Sequence, residues 1–290
     1  MKDMQLQYMT FKGFEATCAG VQGQGLWKRS TAVEYYECAQ AFVAAVQKGS
    51  SPGSTHLLDQ PRFDAATIYE TGCILHARHP SLTPLASAMW ASASGLGFQP
   101  ATITLAGDLV RHGKFGQLPM MRKVESDFRR IVTQGKDANA LTIEALRLYR
   151  QEKKLSQAAA MFKKALSVGG PDFSFKSRCE NGLGHIAYSQ GRLEEAAEYL
   201  EKAYEVDPRS AGLLLGDVYA SLDPQKARQV YYRTASHGNA TAWGRLADLE
   251  LGMAMDAQHQ PTKQEHQLWA MEFQRLGDAQ RTDGRTVESL

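Results

Sequence analysis

Residues 231–252 read YYRTASHGNATAWGRLADLELG, and residues 90–106 read WASASGLGFQPATITLA. When the two segments are aligned at a single numbering offset, five pairs of similar residues coincide. They are Trp90 with Tyr231, Gly97 with Gly238, Ala101 with Ala242, Leu105 with Leu246 and Ala106 with Ala247. Self-similarity at a fixed spacing is typical of repeat architectures. The pattern therefore indicates a repeated scaffold and not the floor of an active site.

Helical signals run along most of the chain. From Thr31 onwards, apolar residues recur at helical spacing, and Val, Ile and Thr nowhere alternate with polar residues as they do in strands. Thr31 and Glu34 form a capping-box pattern, and Asp207 and Asp223 each precede a proline, as at helix starts. Gly238 is placed to end a helix. We predict an all-α chain without a sheet.

The pattern divides the chain into five segments. We expect a poorly defined lead-in with one helix, then divergent helical repeats, a bridging helix, a repeat array with a C-terminal capping helix, and a flexible tail. Their respective ranges are residues 1–60, 62–115, 116–136, 137–276 and 277–290.

Residues 177–208 resemble a tetratricopeptide repeat. The residues that carry the resemblance are Leu183-Gly184, Ala196, Leu200, Ala203 and Pro208. Small residues suit positions where two helices cross closely, and the proline ends the second helix. Residues 138–171 are similar, with Ala158, Phe162 and Ala165 in place and one extra residue in the turn.

Residues 213–252 are more similar to the Sel-one-like variant of these repeats. The matching residues are Leu215-Gly216, Tyr219, Lys226-Ala227, Tyr231-Tyr232, Ala235, Gly238 and Ala242. Arg228 and Thr234 depart from the pattern because they occupy expected small-residue neighbourhoods. The resemblance implies a right-handed α-solenoid of helix hairpins.

Composition excludes several classes of function. A net charge of +2 offers no basic field for nucleic acid, and no apolar run is long enough to span a bilayer. None of the four cysteines forms a C-x-x-C pair, so a reducing compartment is the default. We expect an intracellular, cytoplasmic protein, and analogy with other helical-repeat proteins leaves a mitochondrial role as the alternative.

No motif predicts catalysis, a metal or a cofactor. Cys73, His76 and His79 have C-x-x-H-x-x-H spacing, but a structural zinc site needs four convergent ligands and no fourth is apparent. His185 has no nucleophile in an elbow motif to act on. The two Gly-Leu-Gly motifs do not form a phosphate loop. We therefore expect no catalytic, metal-binding or cofactor-binding residues.

The resemblance implies a concave groove lined by the first helix of each pair. Residues carried over to that groove are Arg178, Asn181, His185, Asp217, Arg245 and Asp248. Some tetratricopeptide proteins clamp acidic chaperone tails there, but Asp217 and Asp248 would repel such a tail. We expect a mixed-charge protein or peptide segment as the ligand.

The favoured interpretation is a non-catalytic scaffold or assembly factor that binds a protein segment. Two alternatives remain open. One is a hydrolase or metal-dependent enzyme built on helical repeats, which needs Cys73, His76, His79 or His185 to converge with acidic residues. The other is a helical-repeat RNA-binding protein, against which the near-neutral charge counts.

Overall fold

Helices form the whole of the described structure, which is a computed structural model. It describes residues 10–23, 29–48, 63–170 and 173–288, and over these ranges it contains fourteen α-helices and no strand. The predicted all-α class is confirmed. The chain divides into two compact units, Met1–Lys136 and Asp137–Leu290, called unit 1 and unit 2. No helix in the described ranges combines the length and the hydropathy needed to cross a membrane.

Unit 1 contains six α-helices among its described residues. They are α1 (Phe11–Gly23), α2 (Ala32–Gln47), α3 (Ala65–Arg78), α4 (Thr83–Gly95), α5 (Gln99–Arg111) and α6 (Arg122–Gln134), with 3-10 turns at Pro80–Leu82 and Pro119–Met121. Each of these helices packs against the next along the chain, and α1 also packs on α3.

The described residues of the N-terminal segment form two helices where the sequence predicts one. The predicted capping box of Thr31 and Glu34 begins α2 as expected. The additional helix, α1, buries Phe14 and Cys18 in the core of unit 1. These residues are four apart on one helical face, so they pack together although the surrounding sequence is rich in Gly and Gln. Residues 49–62, which include the end of the predicted lead-in, lie outside the described residues.

The helix predicted to bridge two arrays is α6, and it packs within unit 1 against α5. Its apolar stripe of Val124, Phe128 and Ile131 is buried. Glu125 is also buried, where its carboxylate accepts a hydrogen bond from the amide of Gly116 at 2.7 Å. A charged sequence with a narrow apolar stripe thus forms a packed surface helix.

Unit 2 consists of four helix hairpins. Its helices are α7 (Ala138–Arg150), α8 (Leu155–Gly169), α9 (Lys176–Ser189), α10 (Leu193–Val206), α11 (Pro208–Leu222), α12 (Pro224–Ser236), α13 (Thr241–Asp256) and α14 (Gln260–Glu288). The hairpins are α7–α8, α9–α10, α11–α12 and α13–α14, and each second helix packs on the first helix of the next hairpin. The first helices α7, α9, α11 and α13 also contact one another in sequence.

Small residues permit the close crossings within and between hairpins. A β-carbon on Gly184 would overlap Leu200, and one on Gly182 would overlap Phe162 of the preceding hairpin. Ala196 is fully buried beside this crossing. The positions that carry the resemblance are therefore the positions where helix backbones approach most closely.

Aspartates and prolines begin two of the helices as predicted. The Asp207 carboxylate accepts from the first amides of α11, and the Asp223 carboxylate does the same for α12. Pro208 and Pro224 occupy the first helical position, where the missing amide proton is not needed.

The C-terminal helix α14 continues beyond the predicted boundary at residue 277. Trp243 donates its indole N–H to Gln280 at 2.8 Å, so contacts with α13 extend into the predicted tail. Phe273 is buried and stacks on both Trp243 and Trp269. Leu268 and Met271 of the same helix are exposed.

Both departures from the repeat pattern have a structural reason. Arg228 pairs with Glu250, a fully buried carboxylate that also pairs with His266, so the arginine joins α12 to α13. Thr234 is fully buried and fits because its neighbour on α11 is Gly212.

Candidate protein-binding face

One side of the first helices of unit 2 is not covered by the second helices. We call this side of α9, α11 and α13 the first-helix face, and each of its residues is exposed or half-buried. Along α9 they are Arg178, Asn181, His185 and Tyr188; along α11 Ser210, Leu213, Asp217 and Ala220; along α13 Thr241, Gly244, Asp248 and Leu251. Within each helix these positions lie three or four residues apart, so they share one face.

Asp217 is the centre of the best-defined contacts on this face. Tyr231 donates its hydroxyl hydrogen to Asp217 Oδ1 at 2.6 Å, and Arg245 Nε lies 3.5 Å from the same oxygen. The ring of Tyr231 comes from α12 and passes over Gly216, where any β-carbon would overlap it. Residues from three helices thus meet at one surface carboxylate, whose charge is offset by Arg245.

The hydroxyl of Tyr231 is buried beside Asp217. Burial, and then the hydrogen bond to Asp217, raise the pKa of Tyr231 above its ordinary value. Tyr188 on α9, Asp217 on α11 and Arg245 on α13 are each exposed or half-buried. The three first helices therefore each present an accessible side chain around this cluster.

His185 lies at the other end of the face. Its ring centroid is 6.4 Å from that of Tyr149 on α7. Burial, and then the positive charge of Arg150, lower the pKa of His185 below its ordinary value. The imidazole is therefore neutral at physiological pH and leaves Arg150 as the local charge.

Arg178 and Asn181 complete the face on α9. The Arg178 guanidinium lies 4.3 Å from the centroid of the Phe175 ring, a cation–π contact that orients it. Asn181 Oδ1 is buried and accepts no hydrogen bond from the described residues. A buried amide oxygen without a donor is costly, by about 1–3 kcal/mol.

One segment of unit 2 matches a known protein family. Residues 181–210, which run from the middle of α9 into the start of α11, match the family model of the tetratricopeptide repeat. The matched segment lies within the array of helix hairpins that forms unit 2. The predicted resemblance is confirmed on this segment.

One solved structure is similar to a large part of the chain. The crystal structure of a Sel1 repeat protein from Oxalobacter formigenes is similar to the chain, with 18% sequence identity and a TM-score of 0.48. The similarity covers 72% of this chain and 88% of that one. The comparison with curated proteins finds no significant match.

The six residues predicted to line the groove of the tetratricopeptide-like array fall in or beside the first-helix face. Asp217 and Arg245 are in direct contact, and Asp248 is exposed one turn further along α13. Sequence reasoning missed Tyr188 and Leu251, although each lies three residues after a predicted polar position. That spacing is the signal that finds them.

Two residues of the enzyme alternative, Cys73 and His76, both lie beside Trp90. The His76 ring lies tilted against Trp90, 5.4 Å between centroids, and bonds to Thr83, whereas the His79 side chain accepts from an amide of the next helical turn. Burial raises the pKa of the Cys73 thiol to about 11, which disfavours the reactive thiolate. Among the described residues, no group of three or more His, Cys, Asp or Glu side chains is placed to hold a metal ion.

Proposed function

We propose that the protein is a non-catalytic scaffold or assembly factor that binds a segment of another protein on the first-helix face of unit 2. Tetratricopeptide repeats commonly serve as protein-interaction scaffolds. The single observation that carries the proposal is the exposed first-helix face, with Tyr231, Asp217 and Arg245 in contact at its centre. Three first helices and one second helix contribute residues to it.

The charges of this face favour a mixed-charge segment. Arg178 and Arg245 contribute positive charge, and Asp217 and Asp248 contribute negative charge. Because Arg245 offsets Asp217, the repulsion of an acidic chaperone tail comes mainly from the exposed Asp248. A ligand that offers both signs of charge is the best match.

A cytoplasmic location is part of the proposal, with the mitochondrion as the alternative. All four cysteines are free thiols, as expected in a reducing compartment. Near-neutral net charge gives no support to RNA binding.

A pull-down from native cell extract tests the proposal. The bait variants are intact chain, Arg178→Glu/Arg245→Glu on the first-helix face, and Lys163→Glu/Lys164→Glu on the exposed side of α8, which makes the same charge change elsewhere. We expect a partner that the first-helix variant loses and the α8 variant keeps. Identical partners for all three baits would contradict binding at this face. Circular dichroism of each bait controls for folding.

A further inference from the structure

The first-helix face is ordered into rows that cross the helices. Equivalent positions in α9, α11 and α13 form four rows: Arg178, Ser210 and Thr241; Asn181, Leu213 and Gly244; His185, Asp217 and Asp248; Tyr188, Ala220 and Leu251. A ligand that runs across the helices therefore contacts the residues of one row in order. The fourth row is apolar, and the neighbouring third row is polar.

The apolar row is partly open to solvent. Tyr188 is 39% exposed and Leu251 is 44% exposed, with the small Ala220 between them. Met255, one turn beyond Leu251, is 80% exposed. The fourth row thus offers a ligand three apolar residues, of which the middle one is small.

The second row offers few hydrogen-bond partners to an extended ligand. An extended backbone leaves its N–H and C=O groups to be satisfied by the binding surface, as an added strand does on a sheet edge. In this row only Asn181 has a side chain that can form hydrogen bonds, since Leu213 and Gly244 have none. A helical ligand satisfies its own backbone and needs no such partners.

Charge changes sign along the rows. At the α7 and α9 end, Arg150 and Arg178 are exposed and His185 is neutral. Arg147 adds little net charge there because it is paired with Glu144 and Glu152. In the middle, Arg245 offsets Asp217. At the α13 end the exposed carboxylate of Asp248 adds negative charge. The face is thus positive at one end and negative at the other.

We propose that the ligand is an amphipathic α-helix of a partner protein, lying across α9, α11 and α13. Its apolar stripe contacts Tyr188, Ala220 and Leu251, its acidic end lies towards Arg150, and its basic end lies towards Asp248. Packed helices are about 8–10 Å apart, so α9, α11 and α13 together span about 20 Å. A ligand helix covers that distance with about 13 residues, at about 1.5 Å per residue. The inference rests on the proposed function, because it specifies the ligand of the same face.

Selection from a phage library of random 18-residue peptides tests this inference. The intact chain is the target, and Tyr188→Glu/Leu251→Glu is the counter-selection. Val168→Glu/Val206→Glu is the matched control, because it places the same charges on exposed apolar positions of α8 and α10. Leu251→Glu alone is a second variant that leaves the surroundings of Tyr231 intact.

Enriched peptides should carry apolar residues at i, i+3 or i+4, and i+7, with acids towards one end and bases towards the other. Labelled copies should bind the first-helix variants at least about tenfold more weakly, a loss of about 1.4 kcal/mol, and bind the control as they bind the intact chain. Enriched peptides could instead be rich in proline or lack helical spacing, and still lose binding to these variants. That outcome would overturn the helical ligand and leave the proposed function standing. Equal binding to all variants, or no enrichment, would also overturn the inference. The pull-down decides the proposed function independently.

Discussion

Residues 90–106 of unit 1 and residues 231–247 of unit 2 end one helix and begin the next in the same way. Gly97 has φ = +83° and Gly238 has φ = +89°, the left-handed region that favours glycine. In both, the glycine amide bonds to the carbonyl three residues earlier, and the next amide bonds to the carbonyl five residues before itself. The shared sequence pattern therefore encodes the same helix end.

Packing on either side of these turns is also shared. Trp90 and Tyr231 are both buried, and each ring lies against a glycine of the preceding helix, Gly72 and Gly216 respectively. The small and apolar residues after the turn are buried in both segments: Ala101, Leu105 and Ala106, and Ala242, Leu246 and Ala247.

The two segments differ in what the buried ring reaches. The Trp90 indole is enclosed beside the Cys73 thiol and has no oxygen partner. The Tyr231 hydroxyl instead bonds to Asp217 on the first-helix face. One packing rule thus builds both units, but in unit 2 it also positions a surface carboxylate.

Substitution of the ring-facing glycines should have the largest effect on stability. Gly72→Val and Gly216→Val each place a branched side chain where a ring lies, so each should destabilise its own unit by about 3 kcal/mol. Hydrogen exchange read separately for peptides of each unit measures this. Gly252→Ala, at a helical position with open space around it, should stabilise unit 2 by about 0.5–1 kcal/mol. Little loss in either valine variant would contradict the ring–glycine contact.

A swap on the second helices sharpens the comparison. Thr234 in unit 2 aligns with Ala93 in unit 1, and a β-carbon on Gly212 would overlap the Thr234 hydroxyl. Gly212→Ala should therefore destabilise unit 2 by about 2 kcal/mol. Adding Thr234→Ala should recover more than half of that loss, because the two sites are coupled. Additive losses in a double-mutant cycle would disagree with this contact.

The helix-ending glycines should respond equally in both units. Gly97→Ala and Gly238→Ala each force a β-carbon into the left-handed region, at a cost of about 1–2 kcal/mol. Thermal and urea unfolding of the two variants measures it. A cost in one unit only would show that the helix ends are not equivalent.

Tyr231→Phe should have the smallest effect, about 1 kcal/mol at neutral pH, because it removes one hydrogen bond. Since the pKa of Tyr231 is raised in the folded state, the unfolded chain ionises first when pH passes about 10, so the folded state loses stability as pH rises further. The phenylalanine variant lacks this loss. The free energies of unfolding of the intact chain and of Tyr231→Phe should therefore approach each other as pH rises from neutral to alkaline. A difference that grows with pH would contradict the hydrogen bond.

Local features of the fold could be predicted from sequence because they depend on neighbouring residues. The capping box at Thr31, the aspartate–proline starts at Asp207 and Asp223, and the turn at Gly238 all follow from short-range chemistry. The helix α1 was missed, although Phe11, Phe14 and Cys18 have helical spacing, because the surrounding glycines and glutamines obscure it.

Contacts within the site could be predicted less well because they join different helices. Neither the Tyr231 bond to Asp217 nor the Arg228 pair with Glu250 follows from spacing within one helix. The polar positions of the face could be carried over from the repeat pattern, and Tyr188 could have been found from its spacing of three residues after His185.

Site-specific photo-cross-linking tests the central claim most directly. A photoreactive phenylalanine analogue replaces Ala220 on the first-helix face in one full-length protein and Glu198 on exposed α10 in another. The account predicts that a partner protein is cross-linked through position 220 and not through position 198, and that Leu251→Glu abolishes the product. Cross-linking through position 198 alone would contradict it.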